Sequence, residues 1–120
     1  MLPGNIVRQA HACGSATISA AGSPTIGNTL TTTLGGVGPI AFIGLDFVLV
    51  ASPFCGTCTI GHLWTNANFG ASFALTVPSN PAFIGAVVGI QGADFFAAGG
   101  CASPQVALTD TLVVTVGGCR

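Results

Sequence analysis

The chain has 120 residues, of which half are apolar and only 4% are charged, with two basic and three acidic side chains and a net charge of −1. This length suits a single domain, and so little positive charge excludes nucleic acids and anionic membrane surfaces as partners. No apolar run reaches the roughly 20 residues of a membrane-spanning helix, so the sequence predicts no membrane span despite a mean hydropathy of +0.80.

Residues 1–12 are predicted to form an extended N-terminal arm outside the globular domain. Pro3 and Arg8 interrupt the stretch where a secretory signal peptide would carry its apolar segment, so residues 1–12 do not have the pattern of a signal peptide. The remaining residues, 13–120, are predicted to form one domain.

Alternation of apolar and hydroxyl-bearing residues predicts short β-strands along that domain. Alternating segments begin near Ala16, Thr29, Ser72 and Leu108, and each places aliphatic side chains on one face. Turn sequences rich in Gly, Pro and Asn separate the segments. The spacing predicts an all-β fold, an antiparallel β-sandwich of about seven to nine short strands, with one helical turn within residues 80–85.

The segment 40–50 departs from the alternating pattern because it is apolar on both faces. Phe42, Val48 and Val50 lie opposite the face that carries Ile43. A strand of this kind must be covered on both sides, whereas a single sandwich covers one side only. We expect the second cover to be a loop of the same chain or a neighbouring molecule.

The five cysteines indicate an oxidising compartment and therefore secretion. We expect Cys55 and Cys58 to form disulfides with each other or with Cys101. Cys13 is expected near Cys119, because the first and last strands of sandwiches often adjoin. Five is an odd number, so one cysteine is free, pairs between subunits or has lost its partner by trimming.

Two chemical roles for the cysteines are weaker alternatives. Cys55 and Cys58 have the C-x-x-C spacing of thiol oxidoreductases, but Pro53 precedes them and no helix N-terminus is expected there to activate a thiol. Together with His62 and Cys101 they would form a four-ligand zinc set, although structural zinc prefers two well-spaced pairs. Without zinc, His62 is expected to be a surface or half-buried strand residue.

No arrangement suited to hydrolysis is visible, since the chain lacks a G-x-S-x-G motif and any Glu. Asp46 and Asp94 are expected to accept backbone N–H groups at bends, in preference to pairing around a cation from neighbouring strands. Asp110 interrupts an apolar face and predicts a β-bulge. The sequence therefore predicts no enzyme activity, no cofactor and no metal site.

The most specific pattern lies in residues 72–85, followed by Gln91 and Asp94, where a strand enters a turn containing Pro, Asn, Pro and Gly and the next strand carries a Gln. This pattern resembles a poorly characterised β-domain found at the ends of large secreted proteins of environmental bacteria. Residues 22–29 resemble the opening strand pair of that domain, and residues 52–55 resemble its middle.

The resemblance extends from about residue 15 to residue 116, and it implies an exported β-sandwich with no catalytic residues to carry over. Here the domain stands nearly alone, with an added arm at residues 1–12 and additional cysteines. In these respects the chain looks like stand-alone relatives that polymerise into extracellular pilus-like filaments.

We therefore expect a secreted structural protein whose partner is another copy of itself. A surface nearly free of charge lacks the repulsion that keeps monomers apart, and an open sheet edge accepts an arm as an added strand. Hydroxyl groups such as those of residues 31–33 would accept O-linked glycan. The alternative function is a carbohydrate- or surface-binding accessory module, with Trp64 stacking on a sugar ring. The residues expected at the subunit interface are Ile6, Val7, Phe42, Val48 and Val50.

Overall fold

The structure is a computed structural model, and it describes residues 4–13, 16–38, 40–53, 59–62, 64, 66–95 and 106–118. The described residues form ten strands and one short 3-10 turn, Pro81–Phe83, which lies between β8 and β9. The strands in chain order are β1 (Asn5–Gln9), β2 (Thr17–Gly22), β3 (Thr29–Gly35), β4 (Ala41–Asp46), β5 (Leu49–Pro53), β6 (Thr59–His62), β7 (Asn66–Phe69), β8 (Ser72–Thr76), β9 (Val87–Phe95) and β10 (Val106–Thr115).

The strands form three antiparallel sheets, which confirms the predicted all-β antiparallel fold. A five-stranded sheet has the order β1-β10-β9-β4-β7, a three-stranded sheet has the order β2-β3-β8, and β5 pairs with β6. None of the described residues belongs to a helix long and apolar enough to cross a membrane.

The inner face of the five-stranded sheet packs on the three-stranded sheet and forms the main core. Strands with alternating aliphatic residues meet here, because every second side chain points to the same face. Ile18 and Leu30 of the smaller sheet pack with Ile43, Ile90 and Leu112 of the larger one, and all five are almost fully buried. This arrangement is the sandwich that the alternating segments predicted.

The outer face of the five-stranded sheet is covered by the β5–β6 hairpin. The side chains of Leu49 and His62 lie so close to Gly89 that a β-carbon there would overlap them. A β-carbon at Gly44 would overlap the Trp64 ring in the same way. Glycine at these positions allows the hairpin to lie flat on the sheet, since no side chain separates the two layers.

The segment 40–50 is therefore not one strand. Strand β4 ends at Asp46, whose Oδ1 accepts a hydrogen bond from the Val48 backbone N–H at 2.9 Å, and the chain turns into β5. The second face of β4 is covered by the hairpin that begins at Leu49. Of the two expected covers, a segment of the same chain is therefore the correct one for β4.

Residues 5–9 of the predicted arm form the edge strand β1 of the sandwich. Strand β1 pairs with β10 from Asn5 opposite Thr115 to Gln9 opposite Thr111, and it forms one edge of the five-stranded sheet. The physical reason is that β10 has unpaired backbone groups on the side facing away from β9, and a strand from its own chain satisfies them.

Two local predictions are confirmed. The β9–β10 register shifts between Leu108 and Thr111, which places a bulge at Asp110. The expected helical turn is the 3-10 turn, where the Asn80 side chain accepts a hydrogen bond from the Ala82 backbone N–H at 3.0 Å.

Candidate functional site

One edge of the five-stranded sheet is formed by residues 5–13, called here the edge segment. After β1 the chain continues along β10: the Ala12 N–H donates to Asp110 Oδ1 at 3.1 Å, and the Cys13 N–H donates to the Leu108 carbonyl at 3.0 Å. His11 Nδ1 shares a hydrogen bond of 2.8 Å with the Thr111 hydroxyl. The edge segment thus follows β10 almost from end to end.

The β1 part of the edge segment is held mainly by main-chain pairing. Of its five residues only Ile6 is partly buried, and it packs against the main core, whereas Val7 is 48% exposed. Arg8 donates to the Ile18 carbonyl at 2.7 Å and lies 3.5 Å from an oxygen of Asp110. Strand β1 therefore contributes one side chain, Ile6, to the main core.

The opposite edge of the same sheet carries exposed aromatic side chains. Strand β7 pairs with β4, and its last residue, Phe69, is 68% exposed. The Phe42 ring meets Phe69 edge-on at 5.2 Å and Phe95 at 5.4 Å between ring centres. Phe42, Phe69 and Phe95 are called the aromatic patch.

A second apolar surface lies at the bend between β4 and β5. Phe47 is 66% exposed and Val48 is 50% exposed, and Leu49 beside them is also exposed. These three residues are called the bend patch. Large contiguous patches of exposed apolar side chains commonly mark a surface that another molecule covers.

An apolar cavity of about 510 Å³ adjoins the aromatic patch on the outer face of the five-stranded sheet. Its described lining residues are apolar, and the indole N–H of Trp64 is the one hydrogen-bond donor among their side chains. Several of them adjoin residues outside the described ranges. The lining residues are Phe42, Ile60, Trp64, Ala67, Ala93, Phe95, Val106 and Leu108.

Buried polar side chains between the hairpin and the sheet serve a structural role. Gln91 accepts from the Gly61 N–H at 3.1 Å and donates to the carbonyls of Thr59 at 2.8 Å and Thr109 at 2.9 Å. His62 is fully buried and its Nε2 donates to the Gly44 carbonyl at 3.0 Å. The expectation that His62 is a surface or half-buried residue is therefore wrong, because glycines beneath the hairpin let the ring reach the sheet.

The three aspartates accept backbone hydrogen bonds, which confirms the favoured prediction. Asp94 accepts from the Gly38 N–H at 3.1 Å, and Asp46 and Asp110 do so as described above. Asp46 and Asp94 lie at opposite ends of the β4–β9 ladder, since Asp46 pairs with Gly89 and Asp94 pairs with Ala41. The alternative of a cation site shared by Asp46 and Asp94 is therefore wrong. Within the described ranges no three His, Cys, Asp or Glu residues group as metal ligands.

Among the five cysteines, Cys13 lies in the described part of the chain. It is buried in a small cluster with Ala93 and Leu108, and it is disulfide-bonded. The other disulfide candidates, Cys55, Cys58, Cys101 and Cys119, lie outside the described residues, and so do three members of the zinc alternative. The expected pairings therefore stay predictions.

The residues predicted at a subunit interface fall on separate surfaces. Ile6 and Val7 belong to the edge segment, Phe42 to the aromatic patch and Val48 to the bend patch, while Val50 is partly buried in β5. The sequence did not identify Phe69 or Phe47 as exposed, since exposure of a strand residue depends on which face its neighbours cover.

The described residues thus form apolar surfaces and a sheet edge along β10. Comparison with known protein families, with curated proteins and with solved structures finds no match to this chain.

Proposed function

We propose that this chain is a structural subunit of an extracellular bacterial filament, a pilus-like fibre or coat. Its subunits would exchange the edge segment and pack through apolar surfaces. The observation that carries the proposal is the edge segment itself, which pairs along β10 through its backbone while β1 contributes only Ile6 to the core. The proposal assigns the chain no enzymatic activity.

Exchange requires that the edge segment of one subunit lie on β10 of the next. The same residues then make the same contacts between chains that they make within one chain, so the pairing itself adds little net free energy. Association still costs about 4 to 15 kcal/mol in lost translational and rotational freedom. Additional contacts must offset that cost.

The bend patch and the aromatic patch supply apolar area for those contacts. Burying an exposed Phe or Val side chain completely is worth about 1.5 to 3 kcal/mol. Phe47, Val48 and Phe69 are each at least half exposed, so burial of their exposed surface would offset a part of the cost of association. We therefore place these three side chains in the subunit interface.

An exchanged strand allows an open-ended polymer because the contact is heterologous. The donated surface is the edge segment and the accepting surface is the side of β10 that it covers, so each subunit has one of each. A head-to-tail contact between two different surfaces forms a ring or a helical filament, according to whether the rotation closes.

The composition of the chain supports export and assembly. Five charged residues in 120 leave little repulsion between neighbouring copies, and cysteines forming disulfides suit an oxidising, extracellular setting. Because charge contributes little to the contact, we expect the filament to withstand high salt concentrations.

The test is deletion of residues 1–12. Purified full-length protein, the deletion variant and a control lacking only residues 1–3 are examined by negative-stain microscopy and size-exclusion chromatography. The control keeps β1 complete. We expect fibres from the full-length protein and from the control, and folded monomers without fibres from the variant that lacks residues 1–12.

A synthetic peptide of residues 1–12 separates a role in assembly from a role in folding. It should bind the deletion variant, occupy the vacant side of β10 and raise its thermal stability without producing fibres. Fibres of normal length from the deletion variant would show that the edge segment is not the connector.

The aromatic patch favours a second candidate, a carbohydrate- or surface-binding accessory module. Exposed aromatic rings stack on the apolar faces of sugar rings, and Phe69 is exposed beside a cavity that includes Trp64. This function predicts a soluble monomer that binds polysaccharide and loses binding in Phe69→Ala. A filament subunit would instead show unchanged polysaccharide retention and shorter or fewer fibres in that variant.

A further inference from the structure

We propose that Thr111 and Gln91 of one chain become joined by an ester bond between Thr111 Oγ and Gln91 Cδ, with release of ammonia. The two residues are direct partners in the β9–β10 ladder. The groups around them that favour the reaction are the His11 ring, the Gly61 N–H and the two carbonyls that hold the Gln91 amide nitrogen. The bond lies within one chain, so it forms whether or not the chains assemble.

The register of the sheet places the hydroxyl beside the amide. Directly opposite residues of antiparallel strands share a face, and their β-carbons lie about 4.5 to 5.5 Å apart. Here the shared face is the outer one: a β-carbon at Gly61 would overlap Thr111, and Gln91 Oε1 accepts from the Gly61 N–H at 3.1 Å. An ester between a Thr and a Gln side chain spans such a gap without movement of either strand.

The Thr111 hydroxyl has a base beside it. His11 Nδ1 lies 2.8 Å from Thr111 Oγ, within the range of a nucleophile and its activating base. When the ring proton is on Nε2, Nδ1 accepts the hydroxyl proton as the oxygen attacks. The His11 backbone is itself held in place, because its carbonyl accepts from the Thr59 N–H of β6 at 3.2 Å.

The Gln91 amide is polarised and fixed in orientation. The Gly61 N–H that donates to Oε1 polarises the carbonyl and stabilises the negative charge on this oxygen when Thr111 Oγ adds to Cδ. The amide nitrogen donates to the carbonyls of Thr59 at 2.8 Å and Thr109 at 2.9 Å. A flipped amide would direct its nitrogen at an N–H and its oxygen at two carbonyls, so one orientation is set before the reaction begins.

The reaction is an exchange of an amide for an ester. The Thr111 hydroxyl gives its proton to His11 Nδ1 while its oxygen forms the bond to Gln91 Cδ. The Cδ–Nε2 bond then breaks, and the nitrogen leaves with the bonding electron pair and takes the proton from His11 as ammonia. The hydrogen bonds of Gln91 described above belong to the chain before this step. Afterwards a water molecule in the place of the ammonia can donate to the same two carbonyls.

Burial selects the nucleophile and protects the product. The Thr109 hydroxyl also lies close to Gln91, but it accepts from the Gly92 N–H and donates to the Asp110 carbonyl, both at 2.8 Å. Thr111 and Gln91 are fully buried, so water is kept from the ester. Ammonia, in contrast, escapes and is diluted in the solvent, which favours the bond.

The test follows the mass of the whole chain during refolding. Protein purified in urea is refolded by dilution, and its intact mass is measured over time after reduction of disulfides. We expect each folded chain to lose the mass of one ammonia molecule while it keeps the size of a monomer. Chymotrypsin, which can cut after Phe95 and Leu108, should then release a linked pair of peptides, one containing Gln91 and the other Thr111.

Hydroxylamine identifies the linkage, because it cleaves esters and leaves disulfides and amides largely intact under mild conditions. It should separate the two peptides, restore the Thr111 hydroxyl and leave a hydroxamate at residue 91.

Four variants, each verified as folded by circular dichroism, assign the roles. Thr111→Val keeps the shape of the side chain and should keep the full mass, whereas Thr111→Ser keeps the hydroxyl and should form the bond. His11→Phe should slow the loss of ammonia about 100-fold, as expected for removal of a general base. Thr33→Val removes an exposed hydroxyl elsewhere and is the matched control, which should react like the unchanged chain.

Several outcomes would overturn the ester. One is a refolded chain that keeps its full mass, and another is a linked pair that hydroxylamine does not separate. Loss of ammonia from Thr111→Val at the rate of the unchanged chain would also do so, since cyclisation of an Asn side chain would then account for it. An unchanged rate in His11→Phe would overturn the role of His11 as the base.

Discussion

The two faces of the five-stranded sheet are covered in different ways. On the inner face, large aliphatic side chains such as Ile43, Ile90 and Leu112 interlock with those of the three-stranded sheet. On the outer face, glycine lets the β5–β6 hairpin approach the backbone, and Gln91 ties the layers together. Apolar packing tolerates changes that preserve volume, whereas close approach with buried hydrogen bonds tolerates few changes at all.

This difference also explains why the register of the outer layer on the sheet is more strictly defined than that of the inner layer. Apolar burial on the inner face is roughly proportional to area and does not depend on direction. The three hydrogen bonds of Gln91 require β6 to sit at one register on β9 and β10, because each partner is a fixed backbone group. We expect single substitutions in the two layers to change the free energy of unfolding by different amounts.

The largest effect is expected for Gln91→Leu. The change leaves the Gly61 N–H and the carbonyls of Thr59 and Thr109 without the partner they have now, and each buried group left unpaired costs about 1 to 3 kcal/mol. Urea denaturation should show a loss of about 3 to 5 kcal/mol. Hydrogen exchange should accelerate most at Gly61, before the strands of the inner core respond.

Gln9→Leu is the matched control for Gln91→Leu, because Gln9 is an exposed glutamine on an edge strand. Its stability should change by less than about 0.5 kcal/mol. Equal losses from the two substitutions would show that the outer layer does not depend on the buried amide.

A smaller loss is expected for Gly61→Ala, which tests the close approach of the hairpin. A β-carbon at residue 61 would overlap the side chain of Thr111, so either β6 or Thr111 must shift. Overpacking of this kind costs about 1 to 3 kcal/mol, measurable by thermal or urea denaturation.

Gly38→Ala provides the comparison for Gly61→Ala, since a β-carbon at residue 38 would meet only an Asp94 oxygen at an ordinary distance of 3.6 Å. It should be nearly neutral. A neutral Gly61→Ala would contradict the view that the close contact between β6 and Thr111 requires glycine at residue 61.

The smallest effect is a gain in stability from Thr32→Val on the inner face. The Thr32 hydroxyl is fully buried in β3 and has no hydrogen-bond partner among the described residues. Valine has the same shape and removes the buried polar atom, so the free energy of unfolding should rise by about 1 kcal/mol. Exposed Thr33 is the control, and Thr33→Val should not reproduce the gain in a urea titration.

Much of the fold follows from local patterns. Alternation of aliphatic and hydroxyl-bearing residues identified β2, β3, β8 and β10, because one buried face per strand requires a period of two. The turn at Pro81–Phe83 and the bulge at Asp110 also followed from local chemistry, namely a proline at a first helical position and a polar residue on an apolar face.

The candidate functional site was predicted less completely. Ile6, Val7 and Val48 were predicted to lie in a subunit interface, and they belong to the edge segment and the bend patch. The interface itself stays a prediction. Phe69 and Phe47 were missed, since one residue of a strand is exposed or buried according to what the rest of the chain places over it. The residue type alone does not indicate whether a strand residue is exposed or buried.

The sequence by itself determined the fold class, since the period-two alternation of apolar and hydroxyl-bearing residues favours strands over helices. Only the tertiary structure decided that the chain turns after Asp46 to cover its own sheet and that residues 5–13 complete the edge of β10. Both outcomes depend on contacts between residues far apart in the chain. A period of two specifies which side chains share a face, but the free energy of covering that face depends on which distant segment fits it.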